Sequence, residues 1–87
     1  MYRATKWKIQ TEKKSRFYLS KNLIDYRKKF NMSREILALN CEIDIKYLSR
    51  IEQGSANASL DILDKLSDGT QISPGELITD HQNTDSF

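Results

Sequence analysis

The sequence predicts an all-α fold for most of its 87 residues. Three observations indicate this class. Apolar residues recur at intervals of three and four from Leu19 onward, which is the period of an amphipathic helix. Serine or aspartate, residues that cap helix N-termini, stand directly before several of these periodic segments. The single proline, Pro74, directly follows one such serine, where the first position of a helix tolerates it.

Length and composition indicate one small globular domain. The chain is 38% hydrophobic and 30% charged, which is typical of a folded soluble protein. No apolar run approaches the roughly 18 residues of a membrane span, and no signal peptide is expected. The single cysteine, Cys41, cannot form an internal disulfide, so the expected location is cytoplasmic.

Charge is divided unevenly along the chain. Residues 1–29 carry ten Lys/Arg and two acids (+8), whereas residues 30–87 carry four Lys/Arg and ten acids (−6). Residues 1–16 have no helical period and are predicted to form a basic N-terminal arm, in which Trp7 and Ile9 alternate with polar residues as in a short strand. Such a segment attracts nucleic acid or an acidic protein face, and a solvated tail is the alternative.

The first helix is predicted from Phe17 to Phe30. Leu19, Leu23, Tyr26 and Phe30 recur at spacings of four, three and four, which places them on one stripe. The second helix is predicted to follow Ser33, whose hydroxyl can cap its first turn.

Three apolar residues are expected on the inner face of the second helix: Ile36, Leu37 and Cys41. The third helix is predicted to begin after Asp44, which is placed to cap it by the same device. Leu48 and Ile51 are expected to point inward from this helix. Two separate start signals lie so close together that one continuous helix is not expected.

The fourth helix is predicted from Ser59 to about Asp68, with Leu60, Leu63 and Leu66 at three-residue spacing. The acidic residues of this helix are interpreted as a solvated face rather than a metal site, because metal ligands usually converge from several elements. They are Asp61, Asp64 and Asp68.

The fifth helix is predicted to begin at a capping box, Ser73-Pro74-Gly75-Glu76. The folded domain is expected to span residues 17–78, and residues 79–87 are expected to form a polar tail.

Residues 47–54 read Tyr-Leu-Ser-Arg-Ile-Glu-Gln-Gly, a distinctive pattern. Other matching positions keep the same spacing over all five predicted helices: Arg27, Ser33, Leu37, Ala38, Ile43, Asn57, Ser59, Leu60, Leu63, Lys65, Leu66, Glu76 and Leu77. Through these residues the chain from Leu19 to Ile78 resembles the helix-turn-helix domain of the lambda-repressor/Cro/XRE family.

The resemblance implies a compact five-helix, lambda-repressor-like domain in which helices 2 and 3 form the helix-turn-helix and helix 3 lies in the DNA major groove. It implies a transcription regulator of the repressor type that binds double-stranded DNA sequence-specifically as a homodimer. The family's base-reading positions fall on Ile45, Lys46, Ser49 and Arg50.

The resemblance also assigns positions that contact the DNA backbone: Arg34, Tyr47, Gln53 and Asn57. Arg27 and Glu52 match a pair that forms an internal salt bridge in the family. The chain departs from the family pattern at Glu42, which replaces the usual glycine of the turn. Ser55 and Ala56 replace the usual basic residues after the third helix.

The residue types of the third helix support the same interpretation independently. Lys46 and Arg50 are four residues apart, and either can bind the O6 and N7 atoms of guanine. Ile45 can contact a thymine methyl group. The alternative is that these are ordinary surface residues.

The basic arm offers phosphate or minor-groove contacts through Arg3, Lys6 and Lys8, unless it is only a solvated tail.

No catalytic, metal, cofactor or small-molecule site is expected. The only histidine, His81, lies in the polar tail, Cys41 is interpreted as a packed thiol, and no glycine-rich phosphate loop is present. An alternative function is a protein-interaction module of the same fold, antitoxin-like or regulatory, because the chain is acidic after Phe30. The basic and polar outer face of the third helix favours DNA.

Overall fold

Residues 14–81 are described by the computed structural model, and they form five helices with no strand among them. These are α1 (Lys14–Lys29), α2 (Arg34–Cys41), α3 (Ile45–Glu52), α4 (Leu60–Thr70) and α5 (Pro74–Leu77). The predicted all-α class is confirmed. The predicted arm residues Arg3, Lys6 and Lys8, with the short strand around Trp7, lie outside the described residues. Within residues 14–81 no helix has both the length and the apolar character needed to cross a membrane.

Serine caps precede three of the helices, which confirms the caps predicted at Ser33 and Ser73 and adds one at Ser59. The side-chain oxygens of Ser33, Ser59 and Ser73 each accept a hydrogen bond from the backbone N–H three residues later, at 3.1, 3.1 and 3.3 Å. Asp44 occupies the N-cap of α3, but its side chain makes no capping hydrogen bond, contrary to the prediction. The start of α3 is therefore defined by its backbone conformation and by packing.

The predicted bounds of two helices were wrong by a few residues. Helix α1 begins at Lys14, three residues before Phe17. Lysine and arginine favour helix but add nothing to an apolar stripe, so periodicity alone misses this first turn. Helix α4 continues to Thr70, beyond Asp68, and ends where Gln71 adopts a left-handed conformation with φ of 62°.

The turn between α2 and α3 is closed by two backbone hydrogen bonds. The N–H groups of Glu42 and Ile43 donate to the carbonyl oxygens of Leu39 and Ala38, at 3.1 and 3.0 Å. Glu42 has φ of 58° and ψ of 44°, a left-handed conformation that costs a non-glycine residue about 1–2 kcal/mol. This conformation ends α2 and directs the backbone into α3.

The core consists mainly of leucines contributed by all five helices. Its most deeply buried side chains are Leu23, Leu37, Cys41, Leu48, Ile51, Leu66 and Leu77. The predicted inward positions of Ile36 and Leu60 were wrong, since these residues are 47% and 79% exposed.

Helical geometry explains both errors. Ile36 lies about 100° around α2 from Leu37, on the side away from the other buried residues. A strict three-residue spacing rotates by about 60° per step, so Leu60 has moved about 120° from Leu66. Phe30, at the end of the predicted α1 stripe, is likewise exposed because it lies one residue beyond the helix.

A buried amide in the middle of α1 fixes the C-terminal end of the domain. Asn22 donates its side-chain N–H groups to the carbonyl oxygens of Leu77 and Thr79, at 2.8 and 2.9 Å. These carbonyls lack helical partners because α5 ends at Leu77. The contact joins α1 to α5 and anchors the first residue of the predicted tail.

Candidate nucleic-acid interface

Helix α3 has one buried and one outward side. Leu48 and Ile51 are fully buried, whereas Lys46 and Arg50 are exposed. Ser49 is partly buried, and so is Ile45, which packs against the core. The outward side therefore consists mainly of two cations one helical turn apart. Of the four predicted base-reading residues, these two are the most accessible.

Lys46 and Arg50 differ from several other basic residues in having no acidic partner. Within residues 14–81, the three salt bridges involve Lys21, Arg27 and Arg34 only. The ammonium group of Lys46 and the guanidinium group of Arg50 are thus available to bind an anion or a hydrogen-bond acceptor of another molecule.

A buried carboxylate lies directly behind this surface. Glu52, whose side chain is 1% exposed, accepts hydrogen bonds from Nε and Nη2 of Arg27 at 2.7 and 2.8 Å. A bidentate, charge-assisted pair of this kind is among the stronger polar contacts in proteins. The hydrogen bond with Glu52 raises the pKa of Arg27 above its ordinary value, so this guanidinium stays charged. The pair joins α1 to α3.

The same carboxylate also binds a second arginine. Arg34, the first residue of α2, donates from Nε to Oε1 of Glu52 at 3.0 Å. Its Nη1 donates to the hydroxyl oxygen of Ser49 at 3.2 Å. The Arg34 side chain is 39% exposed, so part of the guanidinium still faces solvent. Arg34 therefore links the start of α2 to the outward side of α3.

The segment after α3 is held by an aromatic residue. The hydroxyl of Tyr47 donates to the backbone carbonyl oxygen of Asn57 at 2.6 Å. Gly54, with φ of 76°, supplies the left-handed turn that ends α3. Gln53 and the Asn57 side chain are exposed beside these contacts. Tyr47, in the first turn of α3, thus contacts the segment after the helix, in which the predicted backbone-contacting residues Gln53 and Asn57 lie.

The side chains considered for chemistry do not form a reactive group. Burial of Cys41 raises the pKa of its thiol to about 11, which keeps it protonated at neutral pH. His81 Nε2 lies 2.9 Å from the carbonyl oxygen of Glu76, away from α3. Among residues 14–81, no three His, Cys, Asp or Glu side chains are grouped to hold a metal ion.

The chain belongs to the helix-turn-helix family, whose sequence model matches residues 23–77, well over half of its length. The resemblance to the lambda-repressor/Cro/XRE type is thereby confirmed. Control protein C.BamHI of Bacillus amyloliquefaciens is 42% identical over 50 residues, covering 58% of this chain and 62% of that protein. Control protein C.MunI of a Mycoplasma species is 39% identical over 54 residues, covering 62% and 73%. No solved structure matches the chain significantly.

These matches support a DNA-binding regulator. The chain spans less than two thirds of the length of C.BamHI, 62%.

Sequence reasoning missed one feature of the site, the contact between Arg34 and Ser49. Both residues were predicted to bind DNA separately. The signal that could have found the contact is the unusual arginine at the first position of α2, which lies near a buried acid already expected to pair with Arg27. Two arginines near one glutamate predict a shared ion pair, but only the crossing of α2 and α3 shows which hydroxyl the second arginine reaches.

Proposed function

We propose that this protein binds double-stranded DNA sequence-specifically as a cytoplasmic transcription regulator, with α3 in the major groove. The observation that carries the proposal is the outward side of α3, where Lys46 and Arg50 are exposed and lack acidic partners within residues 14–81. An α-helix fits the major groove of B-DNA, and the residues on its outer side then face the base edges.

The outward residues of α3 have complementary roles in this proposal. Arg50 and Lys46 bind guanine O6 and N7, the commonest specific contact of these side chains. Ile45, although partly buried, lies at the start of the helix, where its exposed methyl groups can contact a thymine methyl. Ser49 supplies a hydroxyl hydrogen bond.

Phosphate contacts come from residues around α3. Arg34 is partly exposed at the N-terminus of α2, Tyr47 lies in the first turn of α3, and Gln53 and Asn57 follow the end of α3. Such contacts fix the orientation of the protein on the duplex without reading its sequence.

Replacing Arg50 with alanine is expected to remove the preference at one base pair, with a loss of about 1–3 kcal/mol of discrimination. The substitution deletes a bidentate donor and leaves the core untouched, because Arg50 is exposed. Selection from a random duplex pool, done in parallel for the native protein and the variant, measures the effect. Lys28→Ala is the matched control, since it removes an exposed cation from α1, distant in sequence from α3, and should leave every base preference unchanged. An identical selected sequence for Arg50→Ala and native protein would exclude the proposed role.

Deleting residues 1–13 is expected to weaken binding about equally on all sequences and to make its salt dependence shallower. The deletion removes Arg3, Lys6, Lys8, Lys13 and Glu12, a net loss of three positive charges. The slope of log affinity against log salt should fall by about 0.9 for each phosphate that the protein no longer binds, while base preference persists.

The control for the deletion is the full-length variant in which Arg3, Lys6 and Lys8 are replaced by glutamine, which separates charge from chain length. If affinity and salt slope are unchanged in both variants, the N-terminal segment does not contact DNA.

The protein is expected to bind DNA as a homodimer on two half-sites about one helical turn apart. The reason is that one α3 presents only a few base-reading side chains, too few for a specific site. Sedimentation of the complex on the selected duplex should show two chains per duplex, and a duplex with one half-site should bind more weakly. One chain bound per full-length site would contradict the expectation.

A further inference from the structure

The Ser49 hydroxyl is held in a way that restricts what it can read. It lies 3.2 Å from Nη1 of Arg34, and a guanidinium group has donors but no acceptor. Ser49 must therefore accept this hydrogen bond, and its own hydroxyl hydrogen points elsewhere.

That hydrogen is not used inside the described part of the molecule. Serine and threonine in helices often donate to the carbonyl oxygen four residues earlier, as Thr70 does to Leu66 at 2.7 Å. Thr79, which follows α5, donates to Gly75 in the same way at 2.6 Å. Within residues 14–81, the Ser49 side chain makes only the bond it accepts from Arg34. Ser49 thus retains one donor, on the outward side of α3.

Arg34 is itself fixed by the buried carboxylate. Its Nε donates to Glu52 while its Nη1 donates to Ser49, so the guanidinium plane is held at two points. Because Glu52 already forms a bidentate pair with Arg27, the three side chains carry two positive charges and one negative charge. The excess positive charge lies beside Ser49 and attracts an acceptor atom but repels an amino group.

We infer that Arg34 orients Ser49 as a hydrogen-bond donor, so that Ser49 selects a keto base, guanine or thymine, over an amino base. The inference rests on the proposed function, with α3 in the major groove. There guanine shows O6 and N7 and thymine shows O4, whereas cytosine shows only its N4 amino group and adenine shows an amino group beside N7. Cytosine should be disfavoured most. Arg34 acts here as a positioning residue, in addition to any contact with phosphate.

Base selection with the full chain tests this inference through four variants: Ser49→Ala, Arg34→Lys, Arg34→Gln and the double variant Ser49→Ala with Arg34→Lys. Lysine keeps the charge and can pair with Glu52, but it lacks the planar fork that reaches Glu52 and Ser49 together. Glutamine is neutral and can bond only one of these two partners well. If circular dichroism shows that Arg34→Lys does not fold, the result for Arg34→Gln is used instead. Lys28→Ala is again the control.

In native protein, one position is expected to favour guanine and thymine over cytosine and adenine on the same strand by about fivefold, the contribution of a single hydrogen bond. Ser49→Ala and each Arg34 variant should abolish the preference at that same pair and leave the pair read by Arg50 unchanged. The double variant should add nothing further, because the two residues act together. Arg34→Lys should keep the native salt dependence, which separates orientation of Ser49 from removal of a charge at phosphate.

The inference is overturned, with the proposed function intact, if the preference survives in the folded Arg34 variants. It is also overturned if the position affected by Ser49→Ala separates G·C from A·T pairs, or purine from pyrimidine, instead of favouring guanine and thymine together on one strand, or if Ser49→Ala affects no position. If native protein selects no sequence at all, the proposed function itself fails.

Discussion

The substitution Glu52→Ala is expected to lower the free energy of unfolding by about 3–5 kcal/mol, the range found when one member of a buried ion pair is removed. Two guanidinium groups lose their common acceptor. Arg27 loses bonds of 2.7 and 2.8 Å, and Arg34 loses one of 3.0 Å. Native domains are stable by only about 5–15 kcal/mol, so the loss should take a large fraction of the stability and lower the unfolding midpoint clearly. Urea or thermal denaturation followed by circular dichroism measures the change.

An exposed ion pair provides the control for this experiment. Lys21 and Asp25 are 3.1 Å apart on α1, and their side chains are 38% and 59% exposed. Asp25→Ala should change stability by no more than about 1 kcal/mol, because solvent screens such pairs. If Asp25→Ala and Glu52→Ala lower the free energy of unfolding equally, the buried ion pair stabilises the domain no more than the exposed one.

The same carboxylate couples folding to the proposed interface. Through Arg34, Glu52 fixes a side chain of the outward side of α3, although Glu52 itself is buried. The position of Ser49 in the proposed interface and the stability of the domain thus depend on the same carboxylate, that of Glu52. Because Glu52 is buried, its contribution to the proposed interface is not visible from the exposed residues alone.

Local signals in the sequence predicted the order of the helices and several of their starts. The caps Ser33, Ser59 and Ser73 act within one turn of chain, so their hydrogen bonds follow from residue type and position. The two adjacent start signals predicted a break between α2 and α3, and the resemblance placed the usual glycine of the turn at Glu42, where the backbone is left-handed.

The remaining errors come from features that only tertiary packing decides. Ile36 and Leu60 are apolar and lie at helical spacings, but a helix of eight or eleven residues buries a narrow stripe that residue type does not locate. Asn22 looked like one polar residue among many, yet it binds carbonyl groups more than 50 positions away. The contact from Arg34 to Ser49 depends in the same way on how α2 crosses α3.

Gly69 marks the closest approach of α4 to the end of α2. A Cβ atom placed on it would lie 2.4 Å from Cys41 Sγ, 2.9 Å from Cys41 Cα and 3.0 Å from the Asn40 carbonyl oxygen. Two of these three atoms belong to the backbone, so a change of side-chain rotamer cannot relieve the overlap. Gly69 has no positive φ, and its presence inside a helix is explained by this packing.

Gly69→Ala sets two effects against each other. Alanine favours a helix interior over glycine by roughly 0.5–1 kcal/mol, whereas overpacking a core costs typically about 1–3 kcal/mol. With backbone atoms at 2.9 and 3.0 Å, the cost should lie at the upper end of that range, so packing prevails and the variant unfolds at clearly lower denaturant concentration.

Gly75→Ala is the matched control: its Cβ would meet nothing within 4 Å, and stability should stay unchanged or rise by about 0.4–1 kcal/mol. In a Cys41→Ala background the closest atom is gone, so Gly69→Ala should destabilise less there than in the native background. Should Gly69→Ala stabilise the protein as Gly75→Ala does, helix propensity would outweigh the contact, and α2 and α4 could not be packed as closely as described.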